Sequence, residues 1–231
     1  VENMNLSKRM TAVANSVIKG SSIADIGTDH GYIPIELAKN NMITKAIAMD
    51  INKGPLEKAR KNIESNNLLG VIETRLSNGL EKLEENEVDI VIIAGMGGEL
   101  INQILQEGEK KITHLKRLIV QPQTEIYKVR KRLHHIGYQI IDEIMVEEEG
   151  KYYFIILSEK GNEIYENPTY YYYGKHLIEK KDPIFKEYVE KGLEKNNQLL
   201  HRLIDQSPSA VDRIEAIKEE IKVMKEVLIC L

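Results

Sequence analysis

Short strand-forming runs recur through the first half of the chain, and each is followed by an amphipathic stretch, a rhythm that few architectures satisfy. Ser22-Ile23-Ala24-Asp25-Ile26-Gly27 is apolar and ends in glycine, and Lys45–Asp50 ends in an acid. Val71–Leu76, Val88–Ile93 and Leu118–Gln121 follow. Val88-Asp89-Ile90-Val91-Ile92-Ile93 is the most clearly buried, as a strand covered on both faces must be. Helical patterns fill the gaps at about 31–40, 54–66, 98–108 and 124–135, and another at about 6–19 places Leu6, Met10, Val13 and Val17 at helical spacing. Pro34 falls in a first turn, where a missing N–H is tolerated. Alternation of this kind predicts a parallel sheet with helices on both faces.

The rhythm changes at Tyr138. Tyr138–Val146 and Tyr152–Leu157 read as strands joined by Glu147-Glu148-Glu149-Gly150-Lys151, a gap too short for a crossover, so the pair must be antiparallel. Five parallel strands closed by an antiparallel hairpin is the α/β, Rossmann-like doubly wound layout of class I methyltransferases; an ordinary nicotinamide-binding fold would continue with another helix and a parallel strand. From about residue 168 strands give way to helix, marked by Leu177, Ile184, Tyr188, Leu193, Leu199, Leu200, Leu203 and Ile204. Ser207-Pro208-Ser209 breaks it, and a last helix at about 209–229 carries Ile214, Ile217, Ile221, Met224 and Leu228. The expected organisation is a sheet domain over 1–160 and a C-terminal helical hairpin, coiled-coil-like, over 161–231.

Composition narrows the classes. A chain of 231 residues that is 42% hydrophobic can bury a core of ordinary size. A formal net charge of −4 argues against a uniformly basic nucleic-acid binder but leaves room for a local basic patch. The single cysteine, Cys230, allows no internal disulfide and fits a reducing, cytoplasmic setting. No run is long and apolar enough for a membrane span, and no signal-peptide pattern is present. The one histidine pair, His134-His135, is adjacent on a helix and faces two directions, so no metal is expected. Nothing fixes an oligomeric state; a monomer is compatible.

The chemistry concentrates behind the first strand, in Asp25-Ile26-Gly27-Thr28-Asp29-His30-Gly31. Gly27 permits the tight turn and Gly31 a close approach of the next helix. Glycines alone say little; the acid ahead of them says more. Asp25 would repel a pyrophosphate where backbone donors should gather, whereas S-adenosylmethionine brings an ammonium and a sulfonium that a carboxylate favours. Asp25, Gly27, Thr28 and Gly31 are therefore expected at the methionine end of that cofactor. A capped turn without a ligand is the alternative. Asp50, at the end of the second strand, suits the ribose hydroxyls, with Ile51 beside it, although an Asp there can equally cap a helix. In Ser77-Asn78-Gly79-Leu80, Asn78 can bond adenine and Gly79 turn the chain, unless the pair is a plain turn.

Ile93-Ala94-Gly95-Met96-Gly97-Gly98 follows the fourth strand, and Gly95 and Met96 give a backbone that a ligand can approach closely. The Asn/Asp-Pro-Pro-aromatic segment of many exocyclic-amine methyltransferases is not there, which leaves ring nitrogens and other nucleophiles open. Asp29, His30 and Tyr32 project from the first loop as catalytic candidates, against the alternatives of a helix cap and packed side chains. Gln121 and Gln123 flank Pro122 and suit base edges, or a rigid turn.

Together, Leu6-Ser7-Lys8-Arg9, Ala24-Asp25-Ile26-Gly27-Thr28-Asp29-His30-Gly31-Tyr32-Ile33-Pro34, Ile93-Ala94-Gly95-Met96-Gly97-Gly98 and Gln121-Pro122-Gln123 resemble the bacterial tRNA (adenine-N1) methyltransferases that modify adenine 22 in the D-arm. The resemblance covers essentially the whole chain. It implies S-adenosylmethionine as cofactor, S-adenosylhomocysteine as product, no metal, and tRNA as substrate. One departure stands out: Ser77-Asn78-Gly79-Leu80 replaces the family's usual Gly-Asp-Gly-Leu. Lys8, Arg9, Lys128 and Arg132, with Arg130 and Lys131 on the same helix, are the expected RNA contacts, and Tyr170–Tyr173 offer stacking or packing.

Overall fold

The computed structural model describes residues 6–206 and 209–231, so Ser207 and Pro208 of the expected helix break lie outside the described residues. The chain divides into a first compact unit ending at Glu166 and a second spanning Asn167–Leu231. In the first, strands β1 (Ser21–Ile26), β2 (Ile43–Asp50), β3 (Ile72–Leu76), β4 (Ile90–Met96), β5 (Arg117–Pro122), β6 (Tyr138–Glu148) and β7 (Lys151–Lys160) form one sheet. The order is β3-β2-β1-β4-β5-β7-β6. The first five pair in parallel, and β7 runs antiparallel between β5 and β6, with Val120 opposite Ile156. Order reverses beside β1, which places the ends of β1 and β4 at the crevice where open α/β sheets bind ligands.

The central strands are apolar because both faces are covered: Ile23, Ala24, Ala46, Ile47, Ile90, Ile92 and Ile119 have no exposed surface. Edge strand β3 is instead charged, Arg75 pairing with Glu73 at 2.7 Å and Glu87 at 2.8 Å, which blunts edge-to-edge association. Helices α1 (Lys8–Asn15), α2 (Tyr32–Lys39), α3 (Lys53–Ser65), α4 (Gly98–Glu107) and α5 (Ile126–His135) cover the sheet, with a short 3-10 turn at Glu109–Ile112. The first helix is shorter than its 6–19 periodicity suggests. Ser7 caps its start at 3.3 Å, and at Ser16 the backbone tightens, with N–H bonding Val13 O and the hydroxyl bonding Ala12 O.

The segment just past β7 stays with the sheet. Glu163 lies 3.3 Å from His134, and the Tyr165 ring stands edge-on to the His134 ring at 4.5 Å. The second unit holds α6 (Thr169–Tyr173), α7 (Lys175–Glu179), α8 (Pro183–Gln206) and α9 (Val211–Cys230). Helices α8 and α9 are antiparallel: Asn196 Nδ2 donates to Glu220 at 3.0 Å, and Gly192 lies against the end of Met224. Ile214, Ile217, Ile221 and Val227 are buried along α9. No helix among the described residues is long and apolar enough to cross a membrane.

Candidate active site

In the turn after β1, three backbone donors are committed within the chain. Gly27 and Thr28 both donate their N–H groups to Met49 O, at 2.8 and 3.0 Å, and Gly31 donates to Thr28 O at 2.9 Å. Donors committed in this way are withdrawn from any phosphate. What the turn offers instead is the Asp25 carboxylate. It is 4% exposed, and the only hydrogen bond it receives among the described residues comes from the Thr28 hydroxyl at 2.7 Å. Burial pushes its pKa up to about 6; the Thr28 bond opposes that rise and the charge on Asp50 adds to it. A carboxylate left this poorly compensated gains most from an incoming cation.

Gly27 is at φ +72°, a left-handed conformation that favours glycine, and the flexible end of the Met96 side chain rests against its α-carbon. The cavity in front of it has a volume of about 180 Å³ and is lined by Arg9, Met10, Asp25, Asp29, Gly95 and Gln123 among others. Opposite charges thus share one small enclosure. Arg9 is held there by Gln121, which is fully buried: the Gln121 side-chain oxygen accepts from Arg9 at 2.7 Å and from Gly95 N–H at 3.0 Å, while its amide donates to Pro122 O at 3.1 Å. The guanidinium also stands 5.4 Å above the Tyr153 ring.

Toward the outer strands, Asp50 is 8% exposed and accepts the Asn52 N–H at 2.8 Å with one oxygen. It therefore orders the start of α3 and still has a second oxygen to offer. Ile51 beside it is 59% exposed, an apolar side chain left open next to the acid. The loop after β3 is tied to this point by Ser77 N–H bonding Asp50 O at 2.9 Å. Asn78 is exposed there, while Gly79 at φ +52° lies against Ile104, so its smallness serves packing on α4 as well as the turn.

These residues fit S-adenosylmethionine. A buried acid beside a guanidinium would suit a zwitterionic amino-acid tail, the acid ending β2 a ribose, and the open Ile51 and Asn78 a base, whereas a pyrophosphate would meet the buried Asp25 carboxylate. The sequence profile described as tRNA (adenine(22)-N(1))-methyltransferase matches residues 23–226. The chain belongs to the tRNA (adenine(22)-N(1))-methyltransferase family. The tRNA (adenine(22)-N(1))-methyltransferase of Bacillus subtilis strain 168 is 33% identical over 99% of both chains. The crystal structure of the B. subtilis M1A22 tRNA methyltransferase TrmK superposes at a TM-score of 0.87, with 31% identity over 98% of this chain and all of that one. M. capricolum TrmK, solved with S-adenosylhomocysteine, gives 0.85 at 30% identity over 97% of this chain and 98% of that one. A Streptococcus pneumoniae relative solved with S-adenosyl-L-methionine gives 0.88 at 36% identity over 97% and 100%.

For a tRNA (adenine(22)-N(1))-methyltransferase family member, the remaining sequence candidates sort as follows. Asp29 lines the cavity; it sits at φ +51°, and its side chain is 63% exposed. It is not the cap of α2, since the N-cap is Gly31 and no side chain caps that helix. His30 lies 3.5 Å from Asp29 and stacks on Tyr32 at 5.1 Å, so the three form one patch that reaches the cavity through Asp29. Gln121 was expected to face substrate and does not; with no exposed surface it braces Arg9 instead. Arg130 is likewise no RNA contact: it is fully buried against Glu143 at 2.7 Å and the Phe154 ring. Lys128 is drawn to Glu99 and Glu125, and Arg132 bonds Gln106 at 3.2 Å, so both sit in a mixed-charge groove of about 870 Å³ between α4 and α5. Lys8 is exposed, its backbone N–H bonding Glu148 at 2.6 Å. Sequence reasoning missed Met10, Ile33 and Ala94 on the cavity wall, because each also fits an apolar stripe that packs a core. Among the described residues no cluster of His, Cys, Asp or Glu could hold a metal ion.

Proposed function

We propose that this chain transfers a methyl group from S-adenosylmethionine to N1 of adenine 22 in the D-arm of tRNA. The observation that carries the reading is the buried Asp25 carboxylate facing a cavity that also holds Arg9, a charge pair matched to a zwitterionic amino-acid tail. When bound, the cofactor supplies an electrophilic methyl group on sulfonium, and adenine N1 presents an in-plane lone pair that needs no prior deprotonation. The chain's part is alignment and electrostatics. Asp25 and Arg9 fix the amino-acid end, Asp50 orients the ribose, and the Gly95-Met96 backbone lets substrate approach closely. Asp29 holds a negative charge at the cavity rim, where it stabilises the positive charge that methylation leaves on the base. His30 and Tyr32 support the rim, and Gln123 meets the base. Lys8, Lys128 and Arg132 supply phosphate contacts, and the C-terminal helices read RNA shape. A reducing, cytoplasmic setting suits both the tRNA substrate and the free Cys230.

Transfer of labelled methyl into unmodified tRNA tests the reading. Incorporation is expected into a transcript carrying adenine 22 and not into one carrying guanine there. Equal incorporation into both would refute the assigned position, and none into either would refute the substrate class.

A further inference from the structure

Two amides flank Pro122, and the fold separates them. Gln121 is sealed inside, as described. Gln123 is exposed, and among the described residues its carboxamide makes no hydrogen bond within the chain, although its backbone is fixed by an N–H bond to Met96 O at 2.8 Å. The neighbouring loops are locked as well: Gly98 N–H bonds Thr124 O at 3.1 Å, and a β-carbon on Gly98 would stand 2.4 Å from that oxygen. Gln123 is therefore an outward amide on a rigid mount.

It also lines two cavities. One is the 180 Å³ enclosure that holds Asp25 and Arg9; the other, of about 410 Å³, is formed with Lys151, Tyr152 and Tyr153. Topology explains the second. Because β7 is antiparallel to β5, with Leu118 opposite Ser158 and Val120 opposite Ile156, the first residues of β7 fall beside the C-terminal end of β5. The tip of the hairpin is thereby brought to the ligand-binding edge of the parallel sheet. The cleft combines aromatic faces, an exposed ammonium and an unused amide, which is the equipment for a splayed-out nucleotide.

We propose that this cleft holds the target adenine and that Gln123 reads its Hoogsteen edge. The inference rests on the tRNA-methyltransferase reading above. The amide Nε2 donates to adenine N7, and Oε1 accepts from the N6 amino group, the bidentate pairing that glutamine makes with adenine. Recognition from that edge leaves the N1 lone pair unbonded and free to take the methyl group, whereas recognition from the Watson–Crick edge would occupy the nucleophile. It also rejects guanine, whose O6 would oppose Oε1. Tyr152 and the face of Tyr153 that Arg9 does not cover supply stacking surface, and Lys151 meets the flanking phosphate.

The test uses the full-length enzyme and two tRNAs, one with adenine and one with 7-deaza-adenine at position 22, which replaces the N7 acceptor by C–H. Wild-type enzyme is expected to lose at least about tenfold in kcat/KM on the deaza substrate, the worth of one bidentate partner. Gln123→Ala, checked for a wild-type melting temperature, is expected to lose a similar factor on adenine and to treat the two tRNAs alike. Gln123→Glu, likewise checked, keeps the acceptor for N6 but sets a carboxylate oxygen against the N7 lone pair, so it should favour the deaza tRNA. If the adenine-to-deaza ratio were the same in wild type and variants, or if Gln123→Ala were as active as wild type, the assignment would be overturned. If wild type methylated neither tRNA at position 22, the functional reading itself would fall, and this inference with it.

Discussion

Replacing Asp25 with asparagine should make the empty protein more stable and the loaded protein less so. The folded-state pKa of Asp25 is raised from 3.8 to about 6, chiefly by burial. At about 1.4 kcal/mol for each tenfold change in a protonation constant, an ionised Asp25 costs the empty fold about 3 kcal/mol at neutral pH. The sign follows from proton counting. Between pH 4 and 6 the folded chain holds a proton that the unfolded chain has released, so stability falls as pH rises through this window and stays low above it. Asparagine removes the charge but weakens the bond from Thr28, worth about 1 kcal/mol, and places an amide where a carboxylate was. A net gain of about 1–2 kcal/mol remains, or about 2–8 °C in the melting temperature of a chain this size. The same change removes the partner of the cofactor's ammonium, a charged hydrogen bond worth about 1.5–3 kcal/mol, so S-adenosylhomocysteine should bind about tenfold to a hundredfold more weakly. The assay is thermal unfolding with and without S-adenosylhomocysteine. The order of the two melting temperatures should invert: the variant higher when empty, wild type higher when saturated. Calorimetry should add a second mark, an affinity that falls below about pH 6 in wild type and stays flat in the variant. A variant that melts below wild type when empty, or that binds the ligand as tightly, would refute the idea that Asp25 is held at a cost for the sake of a cation.

Asp29→Asn should lower kcat about tenfold to a hundredfold while leaving the dissociation constant of S-adenosylhomocysteine within about twofold, because the charge acts on the base rather than on the cofactor; an unchanged kcat would remove Asp29 from the chemistry. Gly98→Ala drives a β-carbon onto Thr124 O and should cost about 1–3 kcal/mol, read as a lower denaturant midpoint with an unchanged m-value. Glu143→Leu leaves the Arg130 charge buried without its carboxylate and should cost about 3–5 kcal/mol, whereas the Arg130→Met, Glu143→Leu pair should recover most of that; a double variant no better than the single one would show that the ion pair contributes more than its own desolvation.

What the sequence discloses and what it conceals follows the range of the interactions. The strands, the acid before Gly27 and the acid ending β2 are local signals, each carried by a few adjacent residues; the acids stand where the pattern places them, while β4 starts later than Val88 and runs on through Gly95 and Met96, where a loop is expected. The hairpin after Gly137 is legible from its short connection, but nothing local says that β7 slots between β5 and β6, so the cleft at Lys151–Tyr153 is invisible until the sheet is assembled. Arg130 reads as one more cation on a basic helix because its partner, Glu143, comes from another element. Gln121 and Gln123 are indistinguishable in the sequence. Their fates part because Gln121 lies inside β5, where Arg9 and the Gly95 N–H both meet its oxygen, while Gln123 stands past the strand end. The first helix is overestimated because its periodicity continues past Ser16, where competing backbone bonds end it.

The reaction is decided at one atom of the base. Enzyme, S-adenosylmethionine and unmodified tRNA are incubated, the product is digested to nucleosides, and chromatography with mass detection separates the methyladenosine isomers. A site that presents a carboxylate beside a free ring nitrogen predicts 1-methyladenosine, mapped to position 22. Recovery of N6-methyladenosine would contradict it, since that product requires a proton to be taken from the amino group that Gln123 is here assigned to hold.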